Sequence, residues 1–322
     1  MAKIERIKLL PEVTEPRFRG FLDIVPAVRR MNAAADGEYP VLGEEIILPL
    51  EGRELKVYLH RAATKNRPVI FEFHGGGFVF GSAVADGPLC ETICKDGDLN
   101  VVGVDYRLAP ENMYPKPLDD AYDTVKYFFD NAKDYDIDAS KIGVIGCSAG
   151  ATLATVTAIR AGLRGEFKVG AQVLNYPYLD ARTALEPRED LEHYDVDLDS
   201  DMSYGFTKSY STDEECYTWE VSPILASKEQ LRGTADAYIL TAGCDMLKFS
   251  GKEYAEKLKE AGVNVRFEEV AGVHHCYIED AQNMDRYNKY SDPVARKKHN
   301  PEFAKIAAES LKKSIEFFND TL

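Results

Sequence analysis

A chain of 322 residues can bury one large core, and its apolar fraction of 45% and charged fraction of 29% are those of an ordinary globular protein. The formal net charge of −15 argues against nucleic acid, since phosphate contacts need clustered Lys and Arg, and against an anionic membrane surface. The opening MAKIERIKLLPEV scatters charge among its apolar residues and lacks a signal peptide's unbroken apolar run, and no stretch approaches the roughly 18–20 apolar residues of a membrane span. A soluble, cytoplasmic protein is the expectation. Six cysteines in such a chain read as reduced thiols. Cys90 and Cys94 are spaced for one helix face as small buried residues, with no second pair to make a zinc site, and neither metal nor cofactor is expected.

Taken from the N-terminus, Pro16–Ala35 reads as a helix ahead of the first strand. Glu45–Leu50 and Leu55–His60 alternate in polarity, as an antiparallel edge does. Val69–His74, Val101–Tyr106, Lys141–Gly146, Gly170–Tyr176, Ala237–Ala242 and Val265–Val270 are read as central parallel strands. Amphipathic stretches fill the gaps. They are Leu118–Asn131, then Ala149–Ala161 with Gly162 as its expected C′ glycine, then a helix opened by a capping box of Ser250 and Glu253. A last helix starts at Asn300–Pro301 and carries an apolar stripe of Phe303, Ile306, Ala307, Leu311, Ile315 and Phe318.

This alternation predicts an α/β fold, a mostly parallel sheet covered by helices on both faces. Asp180–Tyr217 interrupts it with a long, aromatic and acidic insert, nine acids standing against Arg182 and Arg188 between Asp180 and Asp201. Long inserts in a compact fold are usually lids or caps. Residues 1–43 and 180–217 are therefore expected to cap the C-terminal edge of the sheet, where open α/β sheets bind ligands, and residues 44–179 and 218–322 to form the main domain. An acidic cap at the mouth would disfavour anionic substrates.

The strongest chemical signal is Gly146-Cys147-Ser148-Ala149-Gly150, a G-x-S-x-G after an apolar strand and opening a helix. A serine on so sharp a turn projects its hydroxyl from the sheet, and the flanking glycines let neighbouring elements pass close by. The second signal is His74-Gly75-Gly76-Gly77-Phe78, where three glycines free backbone N–H groups to face a developing oxyanion. No Gly-Lys-Ser/Thr follows, so a phosphate loop is a poor reading. The serine needs a base. Among six histidines, His60, His193 and His299 read as surface residues, and His74 as orienting its own loop. His274 and His275 follow the last strand, where the chain order Ser…Asp…His requires the base. Asp245, just after the strand Tyr238–Gly243, is placed to hold the imidazole tautomer, whereas Asp236 lies at the wrong end of that strand.

These residues resemble the hormone-sensitive-lipase-like family of α/β-hydrolase esterases, which includes many bacterial acetyl and carboxyl esterases. The likeness runs from about Glu44 to the C-terminus. His74–Phe78 is similar to the family's HGGGF, and Asp105–Glu111 with Pro115, Pro117, Asp119 and Asp120 to its D-Y-R-L-A-P-E stretch. Ser222–Ala226 resembles S-P-L-L-A, and Asp245-Met246-Leu247 the D-x-L acid motif. Gly272–Tyr277 resembles G-x-x-H-G-F, which places the catalytic histidine at His275. The resemblance implies an oxyanion hole of the Gly76, Gly77 and Ala149 amides, and structural ion pairs for Arg107, Glu111 and Asp120. Departures are Cys147 for the family's Asp, Ala151 for its second Gly, and Cys276 for Gly. Cys147, Cys244 and Cys276 read as small residues filling a tight site. The stretch Ile278–His299 is long for the family and is expected to add a flap beside His275.

The expected activity is hydrolysis of short-chain acyl or acetyl esters by a Ser148–His275–Asp245 acyl-enzyme mechanism on a small-molecule ester. Phe78, Tyr178, Tyr204, Phe206 and Tyr277 are candidates to line an apolar pocket, and equally candidates for the core. Two alternatives are an amidase, formamidase or peptidase with the same triad, and a non-catalytic receptor such as the plant gibberellin receptors. Receptors of that kind lose a triad residue, and here all three are present. A homodimer is compatible with the sequence but not specified by it.

Overall fold

The computed structural model describes residues 15–185, 198–291 and 293–322. Among them eight strands form one sheet: β1 (Glu44–Leu50), β2 (Arg53–His60), β3 (Arg67–Phe73), β4 (Asn100–Val104), β5 (Ile137–Cys147), β6 (Ala171–Asn175), β7 (Asp236–Ala242) and β8 (Val265–Val270). The helices are α1 (Pro16–Asp36), α2 (Gly87–Gly97), α3 (Lys116–Asp130), α4 (Ala149–Arg164), α5 (Arg182–Leu185) and α6 (Ser200–Tyr210). They continue as α7 (Lys228–Leu231), α8 (Lys248–Glu260), α9 (Tyr277–Gln282), α10 (Met284–Tyr290), α11 (Pro293–Arg296) and α12 (Phe303–Thr321). The sheet order is β1-β2-β4-β3-β5-β6-β7-β8.

Glu51-Gly52 joins β1 to β2 in a two-residue turn, Gly52 taking φ +72°, and β2 runs antiparallel to both β1 and β4. From β4 to β8 every pairing is parallel. Period-2 alternation divides the strand residues between two fully buried layers. Val69, Phe71, Phe73, Val144, Leu174 and Ile239 face a core shared with α3, α4 and α8. Ile70, Val101, Ile145, Val173, Tyr238 and Leu240 face one shared with α2 and α12. Nearly continuous apolar strands follow from needing both faces dry.

Three local expectations are corrected. Gly162 lies inside α4, which runs on to Arg164 and is closed by Gly165 at φ +66°, whose N–H donates to the Ala161 carbonyl (2.9 Å). Ser250 and Glu253 make no capping box. Asp245 already accepts the Leu247 N–H (2.8 Å), so the turn starts upstream, α8 begins at Lys248, and Ser250 Oγ donates to the Leu247 carbonyl instead. His60 is buried, not at the surface, because β2 lies inside β1 and under α2, where Glu91 sits 2.8 Å from its Nδ1. The segment after His275 forms α9, α10 and α11. Of these α9 packs against α12 and α2, and α10 reaches the end of α1 through the Arg286–Asp36 and Lys289–Glu38 ion pairs. His193 and most of the acidic run lie outside the described residues.

Among the described residues no helix is long and apolar enough to cross a membrane, and no group of three or more His, Cys, Asp or Glu side chains is placed to hold a metal ion.

Candidate active site

Parallel register decides which distant residues can meet. Phe73 of β3 lies opposite Gly146 of β5, and Cys147 opposite Asn175 of β6. Ala242 at the end of β7 lies opposite Val270 at the end of β8. The segments leaving these strands therefore start from one edge of the sheet, and they carry His74–Phe78, Ser148, Asp245 and His275.

Ser148 occupies the single residue between β5 and α4 with φ 55° and ψ −117°. That region costs a non-glycine residue on the order of 1–3 kcal/mol and persists only when the surroundings enforce it. Here the Ser148 N–H donates to the Asn175 carbonyl (3.0 Å), and its own carbonyl accepts the Tyr178 N–H (3.2 Å). Two glycines let the turn close. A Cβ at Gly146 would stand 2.3 Å from the Gly150 carbonyl carbon, and one at Gly150 only 1.8 Å from the Phe73 carbonyl oxygen.

Ser148 Oγ lies 2.9 Å from His275 Nε2, and His275 Nδ1 lies 2.7 Å from Asp245 Oδ2, across sequence separations of 127 and 30 residues. All three side chains are buried. With Asp245 accepting at Nδ1, the neutral imidazole has Nε2 left to accept from the serine. Burial by itself would push the His275 pKa down. The neighbouring Cys276 and Asp245 outweigh it, and the imidazole stands well above the ordinary histidine value. Cys276 has φ +64°, a left-handed conformation that glycine adopts freely, and from it α9 begins.

His274 is turned elsewhere, its Nε2 3.1 Å from Asp280 and its ring stacked on His299 at 3.5 Å. His74 holds its own loop. Its Nδ1 is 2.7 Å from the Gly75 carbonyl, its ring stacks on Tyr106, and its backbone carbonyl accepts the Tyr106 hydroxyl (2.8 Å). Beyond it Gly76 and Gly77 take φ +108° and +62°, and the Gly76 carbonyl accepts the N–H groups of Val79 and Phe80. Among the described residues the amides of Gly76, Gly77 and Ala149 donate to no other group.

The candidate pocket residues separate. Phe206 lies directly over Gly77, where a Cβ would come within 2.2 Å of its ring, and it meets Phe21 of α1 and Phe80 edge-on. Phe78 is buried against Tyr210 at 3.8 Å and meets Tyr178 edge-on, while the Tyr178 hydroxyl pairs with Thr207. The Tyr204 hydroxyl reaches Glu15, and Arg17 covers its ring. Tyr277 is fully buried, meets the Tyr176 ring edge-on at 5.6 Å and donates to Ser310 of α12 (2.9 Å), because α9 is anchored on that helix. Cys147 is buried, Cys276 half-buried, and Cys244 exposed rather than filling the site. Asp120 is buried beneath the guanidinium groups of Arg53 and Arg107, and Glu111 pairs with Arg29, so these charges tie the turn after β4 to β2 and α1.

Two residues beside the site carried no sequence signal. Tyr176, just past β6 at φ +36°, meets the His275 ring edge-on at 5.1 Å. Its hydroxyl donates to Glu279 of α9.

Comparison with known proteins agrees with this fold. The family model for the alpha/beta hydrolase fold matches residues 70–279. An arylesterase of Saccharolobus solfataricus is 31% identical over 264 residues, covering 80% of this chain and 84% of its own. An ethyl acetate hydrolase of Pseudomonas putida is 31% identical over 236 residues, covering 71% and 73%. The solved structure of a Pyrobaculum calidifontis esterase superposes with a TM-score of 0.74 at 31% identity over 90% of this chain and 94% of that one. The chain belongs to the α/β-hydrolase fold family, in its hormone-sensitive-lipase-like group of carboxylesterases.

Proposed function

We propose that this chain hydrolyses short-chain acyl or acetyl esters, with Ser148 as nucleophile, His275 as general base and acid, and Asp245 as the carboxylate that fixes the imidazole. The observation that carries the reading is the unbroken Ser148–His275–Asp245 hydrogen-bonded chain. Ser148 Oγ attacks the ester carbonyl as its proton passes to His275 Nε2, and the oxyanion forms against the Gly76, Gly77 and Ala149 amides. His275 then protonates the leaving alcohol, and the serine–acyl bond is broken by water that His275 deprotonates.

The cap in this reading is expected over residues 1–43 and 180–217, of which residues 1–14 and 186–197 lie outside the described residues. Support comes from α1 and α6, which lie together over the glycine loop through Phe21, Phe206 and Phe80. Phe206 narrows the space beside the oxyanion amides, which favours a small acyl group. An ethyl acetate hydrolase among the relatives acts by name on an ester with a small acyl group.

A panel of p-nitrophenyl esters of rising chain length, with matching anilides, tests this. Acetate or butyrate should be cleaved fastest and anilides far more slowly. Phe206→Ala, which removes the ring, should move the optimum toward longer chains by raising their kcat/KM about ten-fold or more, since each accommodated methylene is worth roughly 1–3 kcal/mol. Anilides cleaved as well as esters, or an optimum at long chains in the unaltered protein, would contradict the substrate assignment.

The pH profile follows from the raised imidazole pKa. Below that pKa His275 is charged and cannot accept the serine proton, so kcat/KM should climb as pH rises through a midpoint above the ordinary value of about 6.5. Asp245→Asn should lower that midpoint while cutting kcat by about 10⁴-fold. A midpoint below the ordinary value would contradict this charge arrangement.

A further inference from the structure

Glu279 is the one carboxyl that α9 carries to the edge of the nucleophile turn. A Cβ placed on Gly75 would lie 3.4 Å from Glu279 Oε1 and 3.7 Å from Ser148 Cβ, so the carboxyl and the serine flank the same point over the glycine loop. Its other oxygen accepts the Tyr176 hydroxyl. Tyr176 is fully buried, its N–H donates to the Leu240 carbonyl (2.6 Å), and its ring edge meets His275. The imidazole is therefore held by Asp245 at Nδ1 and by Tyr176 against its ring. Tyr176 in turn is held at its backbone by β7 and at its hydroxyl by Glu279.

We propose that Glu279 is a positioning residue for the Ser148–His275 pair, acting through Tyr176. The proposal rests on the esterase reading and extends it to a group that the triad chemistry does not use.

Its carboxyl serves in the neutral, protonated form, because burial and acidic neighbours disfavour its charge. Glu72 of β3, Asp86 ahead of α2 and Asp280 of α9 approach it, while the Cys147 thiol of β5 bonds to it and works the other way. Burial first, and then the charge of Asp86, push its carboxyl well above the ordinary glutamate range. Glu72 is raised in the same way, by burial and by Asp86. A neutral carboxyl can accept from Tyr176 on one oxygen and keep its proton on the other. An ionised one would set a negative charge beside Ser148, where the transition state itself develops an oxyanion. Activity should therefore be lost on the alkaline side as the Glu279 proton leaves.

The experiment compares the full-length protein with Glu279→Ala, Glu279→Gln, Tyr176→Phe and the Glu279→Ala/Tyr176→Phe double variant. Thermal melting checks that each is folded, and fluorophosphonate labelling checks that each retains a reactive serine. The kcat and KM for p-nitrophenyl acetate are then read across the neutral and alkaline range. Alanine is expected to lower kcat about ten-fold or more with KM little changed, because a small misplacement of the base acts on the chemical step. Glutamine, a neutral isostere, should recover most of that loss and abolish the alkaline fall of the unaltered protein. Tyr176→Phe should lose kcat as alanine does, and the double variant should be no worse than either, as for two ends of one interaction. Should Glu279→Ala fail to fold, the glutamine and Tyr176→Phe variants still decide the matter.

The proposal falls if Glu279→Gln keeps the wild-type alkaline limb, if alanine leaves kcat intact, or if the two single losses add fully in the double variant. An unaltered protein that takes up no fluorophosphonate would instead sink the esterase reading, and this inference with it, before any variant is compared.

Discussion

Replacing Ser148 with alanine is expected to lower kcat for p-nitrophenyl acetate by roughly 10⁴–10⁶-fold while leaving the melting temperature close to that of the unaltered protein. The large effect follows from the covalent step. Without Oγ no acyl-enzyme forms, and only the oxyanion amides and binding remain to assist water. The small effect on folding has a separate cause. The turn at residue 148 is held by the Asn175 carbonyl and the Tyr178 N–H through its backbone, and neither contact involves the hydroxyl. His275→Ala should cost about as much, and the Ser148→Ala/His275→Ala pair little more than either alone, since the two act as one unit. Steady-state rates on the purified variants check this. Near-normal turnover by Ser148→Ala would remove the nucleophile from the account.

Gly150→Ala is expected to have the largest effect on stability, more than about 4 kcal/mol, and to yield little folded protein. Its Cβ would lie 1.8 Å from the Phe73 carbonyl oxygen and 2.6 Å from that of His74. Both are backbone atoms at the end of a central strand, and they cannot retreat without undoing the β3–β5 pairing. Gly165→Ala is the control. It has φ +66° with open space around it, so only the left-handed penalty of about 1–2 kcal/mol applies. Chemical denaturation of the two variants separates packing at the nucleophile turn from simple backbone strain. Equal, modest losses at both positions would contradict the close approach of α4 to β3.

Much of this was legible from local pattern. All eight strands were placed within a few residues, the inner ones because a strand buried on both faces must be apolar and of limited length; Val265–Val270, read as central, is the half-exposed edge strand β8. The serine turn and the glycine loop were legible because their backbone demands select glycine, and glycine leaves a written trace. The rest depends on neighbours. Gly162 looked like a helix end, yet α4 continues because Gly165, three residues on, supplies the closing left-handed turn. His60 looked exposed on an edge strand, and only the sheet order shows that β1 covers one side of β2. Tyr277 has the aromatic character expected of a pocket wall, but the helix it opens is anchored to Ser310. Tyr176 and Glu279 form a pair 103 residues apart, and no local signal announces that they share a proton-bearing contact.

The central claim is that Ser148 is made nucleophilic by His275, and covalent trapping tests it most directly. Protein treated with a fluorophosphonate and digested should carry a single adduct, on the peptide that contains Ser148, and His275→Ala should label at least about 10³-fold more slowly. An adduct on another residue, or labelling of Ser148 that persists undiminished in the His275→Ala variant, would contradict it.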